Sequence, residues 1–287
     1  MACIAQGSIS VIRLTCIHLI VPAGSCYSNL SFIMTTRPLF NWLTCPRPNP
    51  QANLRLFCFP YAGGGASTFR TWSKSLPGTV EVCPVELPGR GSLMRLLPLT
   101  RLEPLVKAIA SELIPYLDKP FAFFGHSMGG LISFELTRLL RSQYNLNPFH
   151  LFISARLAPQ IPLTKPPLHT LPEPELLEEL RNFNGTPEAV LENQALMELF
   201  LPILRADFAV VETYVYTQEP PLECPITVFG GLQDQEVSYE ALQAWRQQTI
   251  AAFSLQMFDG AHFFIHSEQA ALLKSIAKEL QMRAPAA

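Results

Sequence analysis

One stretch constrains this chain more than any other: Phe121-Ala122-Phe123-Phe124, then Gly125-His126-Ser127-Met128-Gly129-Gly130, then Leu131-Ile132-Ser133-Phe134-Glu135-Leu136. An apolar run with strand character meets a Gly-x-Ser-x-Gly pentapeptide and passes into a run with helical character. That order describes a strand-to-helix corner so tight that the residue at its tip, Ser127, takes a strained backbone conformation. Glycines two positions to either side let strand and helix approach closely. A serine at such a tip projects its hydroxyl into open space. The N–H of Met128 falls at the helix N-terminus, where a free donor can hold a developing oxyanion. Ser127 is therefore a candidate nucleophile and Met128 a candidate oxyanion-hole donor. The plainer alternative is a glycine-rich turn around an ordinary serine, which the pentapeptide alone leaves open.

Such a corner needs an α/β frame, and the rest of the chain predicts one. From residue 54 onward, short β-branched or aromatic runs alternate with helical periods, the pattern of a parallel sheet. Strands are predicted at Leu54–Phe59, Val80–Val85, Phe121–Phe124, His150–Ala155, Ile226–Phe229 and Phe253–Phe258. Helices are predicted over Leu102–Leu117, from the corner to about Tyr144, around Tyr239–Gln248, and from Ser267 to about Met282. Between about residues 157 and 221 the alternation gives way to a proline-rich entry and two or three helical segments rich in leucine, expected to form a lid inserted in a domain spanning 36–287. Most of those leucines are expected to pack the lid on the body, and only a minority to line a channel. With 287 residues and 48% hydrophobic content, one large domain has ample core.

Composition narrows the partners. A formal charge of −2 with no long basic block argues against nucleic acid. The seven cysteines are odd in number, scattered and without a CxxC pair, which argues against zinc and against a disulfide framework; they read as free thiols of a reducing, cytoplasmic compartment. No cofactor or metal is implied. No uncharged apolar stretch reaches 18 residues, so no membrane span is expected. Residues 1–35 differ from the rest, with three cysteines and no clear period over 1–33. Arg13 and His18 interrupt the apolar stretch, and no basic side chain precedes it as a signal peptide would require. They read as an extension, disordered or outside a natural start near Met34.

A serine hydroxyl needs a base to take its proton and a third group to orient that base. Gly230-Gly231-Leu232-Gln233-Asp234 follows one predicted strand and Asp259-Gly260-Ala261-His262 follows the next, giving the order Ser, acid, His at one edge of the sheet. Among six histidines, His18 lies in the extension, His126 is locked in the corner, His150 begins a strand, His169 is in the lid, and His266 is expected to be a solvated or capping residue. His262 remains as base. For the acid, Asp207 is the main rival, but a lid carboxylate is expected to be poorly anchored for orienting an imidazole; Glu236 and Asp259 are fallbacks, and Asp234 is preferred. The second oxyanion donor is expected from Pro60-Tyr61-Ala62-Gly63-Gly64-Gly65, with Ala62 N–H preferred and Tyr61 or Gly63 as alternatives. No GxxxxGK[ST] or GxGxxG pattern supports reading these glycines as a phosphate cradle.

Five blocks in order carry a resemblance: Phe57-Cys58-Phe59-Pro60-Tyr61-Ala62-Gly63-Gly64, Leu87-Pro88-Gly89-Arg90-Gly91, Gly125–Gly130, Leu204-Arg205-Ala206-Asp207, and Gly260-Ala261-His262-Phe263-Phe264. Together they resemble the type II thioesterases, stand-alone enzymes that accompany nonribosomal peptide and polyketide synthases. The resemblance runs from about Thr36 to the C-terminal helix. It implies an α/β-hydrolase fold with a helical lid and a monomeric enzyme that cleaves acyl thioesters from the phosphopantetheine arm of acyl or peptidyl carrier domains, clearing misprimed or stalled chains. Ser127, Asp234 and His262 match its catalytic positions. Two departures stand out: Gly130, where the family commonly has alanine, and the apolar run Ser92–Leu97, where it tends to be charged. A carboxylesterase or lipase, an acyltransferase using the same triad, and a silent carrier-binding module are the competing readings.

Overall fold

The computed structural model describes residues 42–44 and 48–283. The reading of residues 1–35 as an extension lies outside the described residues. Six strands form one sheet: β1 (Leu54–Phe59), β2 (Val80–Pro84), β3 (Phe121–His126), β4 (His150–Ser154), β5 (Ile226–Gly231) and β6 (Phe253–Phe258), in the order β2-β1-β3-β4-β5-β6. Every pairing is parallel. The chain winds outward from β1 to β2, returns to β3 on the other side of β1, and proceeds to the far edge. The order therefore reverses between β1 and β3, where loops part and leave a crevice at the carboxyl ends of the strands.

Alternation along the strands sorts their side chains to two buried faces. Phe57, Phe59, Phe123, Leu151, Ile153 and Val228 join a core with α1 (Leu102–Leu113) and α2 (Met128–Tyr144). Leu56, Cys58, Phe124, Phe152 and Phe229 join a second core with Trp72 and the closing helix. Cys58, Cys83 and Cys224 are buried.

Between β4 and β5 lie α3 (Glu173–Phe183), α4 (Glu188–Leu191) and α5 (Gln194–Glu212). Leu176, Leu180, Leu191, Met197, Leu201 and Leu204 form a core of their own there, while Leu199 is exposed. The Asn193 side chain caps α5 by accepting from Leu196 N–H at 3.1 Å. After β5 come α6 (Tyr239–Gln243) and a 3₁₀ turn to Gln248; after β6 come α7 (Phe264–Ser267) and α8 (Gln269–Arg283).

Several boundaries differ from the sequence reading: β3 runs on to His126, and β2 and β4 each stop one residue early, at Pro84 and Ser154. The helix expected to reach Leu117 stops at Leu113, and Ile114–Tyr116 tighten into a 3₁₀ turn at Pro115, which has no N–H to donate to a helical hydrogen bond. The closing helix is broken at Glu268 (φ −104°, ψ 22°) into α7 and α8. β5 extends to Gly231, paired with Phe258. A Cβ at Gly231 would stand 2.5 Å from the Gly260 carbonyl oxygen, so glycine is what lets the end of β5 pass against the loop that follows β6.

Candidate active site

Ser127 sits between β3 and α2 with φ 53° and ψ −113°, a conformation that L-residues rarely adopt. Its N–H donates to the Ser154 carbonyl at 2.7 Å, and its own carbonyl accepts from Gly130 N–H at 3.0 Å, so the tip is pinned from both sides. The glycines around it are spatial requirements. A Cβ at Gly125 would lie 2.0 Å from the Gly129 carbonyl oxygen, and one at Gly129 would lie 2.2 Å from that of Phe59. Gly130 differs: its nearest neighbour would be the Arg156 Cβ at 3.1 Å, a contact that a few tenths of an ångström would relieve.

The three candidates converge. His262 Nε2 lies 3.0 Å from Ser127 Oγ, and His262 Nδ1 lies 2.9 Å from Asp234 Oδ2. Because a carboxylate only accepts, Nδ1 carries the proton and Nε2 is left as the acceptor for the serine hydroxyl. The Asp234 side chain is only 1% exposed, and its other oxygen accepts from the N–H groups of Glu236 at 2.8 Å and Val237 at 3.3 Å. Held in this way, it fixes the orientation of the imidazole.

Near Ser127, the N–H groups of Met128 and Ala62 have no acceptor among the described residues. Met128 is the first residue of α2, so its N–H has no partner within the helix. Ala62, in the loop after β1, lines both cavities that reach Ser127. Of the alternatives for this second donor, Gly63 is removed: its N–H donates to Asp207 Oδ2 at 2.8 Å.

Asp207 corrects the sequence reading. Far from being loosely held, it is buried on α5 and bound by Arg90 through both carboxylate oxygens, at 2.6 and 2.7 Å. Arg90 also donates to the Gly64 carbonyl at 2.8 Å. One ion pair thereby ties the loop after β2, the loop after β1 and the inserted helix together. Sequence reasoning missed it, although both residues lie in the blocks that carry the resemblance; a separation of 117 residues leaves no periodic signal. Glu236 pairs with Lys165, and Asp259 accepts only from the Gln233 side chain at 3.3 Å, so neither reaches the imidazole.

The other described histidines are engaged elsewhere. His150 Nε2 meets Thr227 Oγ1 at 2.8 Å, and His169 pairs with Glu212 at 2.6 Å. His266 is not merely a solvated residue: its Nε2 lies 2.9 Å from the Tyr61 hydroxyl, whose ring also packs edge-on against Phe263 and His126. His126 is fully buried, with Nδ1 2.9 Å from Ser154 Oγ and its ring edge-on to His262. Burial above all, and then the neighbouring His262 and His266 charges, hold its pKa well below the ordinary imidazole value. The fold therefore keeps His126 neutral, while the unfolded chain takes up a proton near pH 6.5. This contribution to stability is present above that pH and is lost as pH falls towards the depressed folded value. We expect His126→Asn, which retains a partner for Ser154, to lower the melting temperature at pH 7 yet to lose less stability than the parent between pH 7 and 5, as read by thermal unfolding across that range.

Two cavities meet at Ala62, Ser127, Phe183, Phe208 and His262. The larger, about 370 Å³, is walled by Gly63–Gly65 and by Leu180, Met197 and Phe200 of the insertion. The smaller, about 140 Å³, lies beside Met128, Ala155 and Arg156. Among the described residues no helix is long and apolar enough to cross a membrane.

The decisive comparison is with protein families: residues 54–280 match the model described as the thioesterase domain. The chain belongs to the thioesterase family. This thioesterase is 48% identical over 241 residues to the gramicidin S biosynthesis protein GrsT of Aneurinibacillus migulanus, covering 84% of this chain and 94% of that one. It is 46% identical to the linear gramicidin dehydrogenase LgrE of Brevibacillus parabrevis, covering 84% and 92%. Among solved structures it is similar to YbtT, a type II thioesterase from the yersiniabactin NRPS/PKS biosynthetic pathway, with a TM-score of 0.77 and 32% identity over 85% of this chain and all of that one. The thioesterase has the α/β-hydrolase fold that the strand–corner–helix segment and the five blocks led us to expect.

Proposed function

We propose that this thioesterase hydrolyses acyl groups from the phosphopantetheine arm of carrier domains and clears misprimed or stalled chains from a nonribosomal peptide or polyketide synthase. The observation that carries the chemistry is the continuous hydrogen-bonded chain from Ser127 Oγ through His262 to Asp234, set at a strained corner beside two unpaired N–H groups. His262 Nε2 takes the hydroxyl proton as Ser127 Oγ attacks the thioester carbonyl, and the oxyanion is held by Met128 and Ala62 N–H. Collapse expels the pantetheine thiol, which receives its proton from His262. A water molecule, deprotonated by the same nitrogen, then attacks the acyl-serine and releases the acid. Asp234 keeps the imidazole in the one tautomer that can do this.

The carrier-bound substrate rests on the resemblance of the five blocks and on the relatives, which belong to peptide and polyketide pathways. The dehydrogenase in one relative's name is said of that protein, and this sequence has no Gly-x-Gly-x-x-Gly pattern. We read the enzyme as a cytoplasmic monomer that meets its carrier domain in passing. The competing esterase reading is tested by comparing kcat/KM for an acyl-pantetheine thioester with that for the matched oxygen ester, each corrected for spontaneous hydrolysis. We expect the thioester to be favoured well beyond its greater intrinsic reactivity; a preference for the oxygen ester would overturn the assignment.

A further inference from the structure

Arg156 directly follows Ala155 at the end of β4 and lines the smaller cavity with Ser127, Met128 and His262. The residue is 7% exposed. Its Nε is buried with no hydrogen-bond partner, and no hydrogen bond or ion pair joins its guanidinium to any described residue. The other well-buried arginines of the described chain are paired: Arg90 with Asp207, and Arg138 with Glu135 and Glu219. Three carboxylates share the cavity walls with Arg156, and all stand beyond ion-pair distance of it. Glu212 is committed to His169 and to two backbone N–H groups, Glu236 to Lys165, and Glu179 lies on α3. Burial of this unpaired cation pushes its pKa down to about 10, with only the nearby Tyr214 opposing. A cation taken out of water without a counter-charge costs several kcal/mol. An anion entering the cavity would supply the missing counter-charge.

Size assigns the cavity. Its volume of about 140 Å³ is less than half the 370 Å³ or so of the larger cavity. Of the two cavities that meet at Ser127, the larger is the roomier and is the one assigned to the arm. The smaller is then left for the group on the other side of the thioester carbonyl.

We infer that the smaller cavity is an acyl subsite selective for short acyl groups ending in a carboxylate, with the Arg156 guanidinium as its anion receptor. This rests on the thioesterase reading above and adds a substrate class to it. A carboxylate held by a guanidinium is oriented by two parallel N–H donors, so Arg156 fixes the far end of the acyl group while Ser127 attacks the near end.

The test compares succinyl-pantetheine with 4-methylpentanoyl-pantetheine, in which two methyl groups replace the carboxylate oxygens, after subtraction of spontaneous hydrolysis. In the parent enzyme the succinyl substrate is expected to have the higher kcat/KM. In Arg156→Met the ratio of the two values is expected to fall by about tenfold or more, chiefly through the KM of the succinyl substrate, with partial recovery in Arg156→Lys. Equal losses on both substrates, or an unchanged ratio, would overturn the proposal and leave Arg156 a packing residue. If the variants fail to fold, the parent enzyme still decides: no preference for succinyl over its neutral isostere counts against the subsite. Failure of the thioesterase reading itself would look different, since neither thioester would then be turned over.

Discussion

Ser127→Ala is expected to lower kcat on an acyl-pantetheine thioester by on the order of 10³-fold or more, with little change in thermal stability. The size follows from the loss of the covalent route. The oxyanion donors and the binding cavities persist, so some rate above that of water remains. Stability is little affected because the Ser127 side chain bonds only to His262, whereas the corner is held by backbone groups that alanine keeps: the N–H to Ser154 and the carbonyl to Gly130. Release of pantetheine thiol, followed with a thiol-reactive dye, reads the first quantity, and the unfolding midpoint reads the second. Near-normal turnover by the variant would remove Ser127 from the chemistry.

The second large effect is expected at Asp207. Its carboxylate answers both Arg90 and Gly63 N–H, so Asp207→Ala leaves a buried guanidinium and a backbone donor unpaired. Removing one member of a buried pair costs about 3–5 kcal/mol, a fall in melting temperature on the order of 10 °C for a domain of this size. Gly63 is the neighbour of Ala62, so the loop carrying the second oxyanion donor is loosened too, and kcat is expected to fall with stability. The double replacement Arg90→Met and Asp207→Leu separates the two effects. It removes both charges and is expected to recover part of the melting temperature, while kcat stays low because Gly63 N–H still lacks its acceptor. Full recovery of turnover would show that Asp207 serves stability alone.

What the sequence made legible was whatever is local or tied to strand ends. Ser127 could be read from a five-residue pattern, and Asp234 and His262 from their places after two predicted strands, because parallel pairing brings the ends of β3, β5 and β6 to one edge. Long-range polar contacts left no such trace. Tyr61 meets His266 across 205 residues and Arg90 meets Asp207 across 117. Neither pair shows in hydrophobic period or spacing, and the lid carboxylate was misjudged as loosely held for that reason. Arg156 is a further case: in sequence it is one more arginine, and only its burial without a counter-charge gives it meaning. The helix ends were missed where proline or a single non-helical residue, Pro115 or Glu268, overrides an otherwise continuous apolar period.

Every role proposed above depends on Ser127 receiving the acyl group from a carrier-bound thioester. That transfer is tested most directly by mixing the enzyme with an acyl-phosphopantetheinyl carrier domain, quenching early in turnover, and measuring intact masses followed by peptide mapping. The expected result is a carrier that loses the acyl group and keeps its arm, together with an enzyme adduct of acyl mass on the peptide containing Ser127. A carrier that stays acylated while simple oxygen esters are cleaved, or an adduct on any other residue, would contradict it.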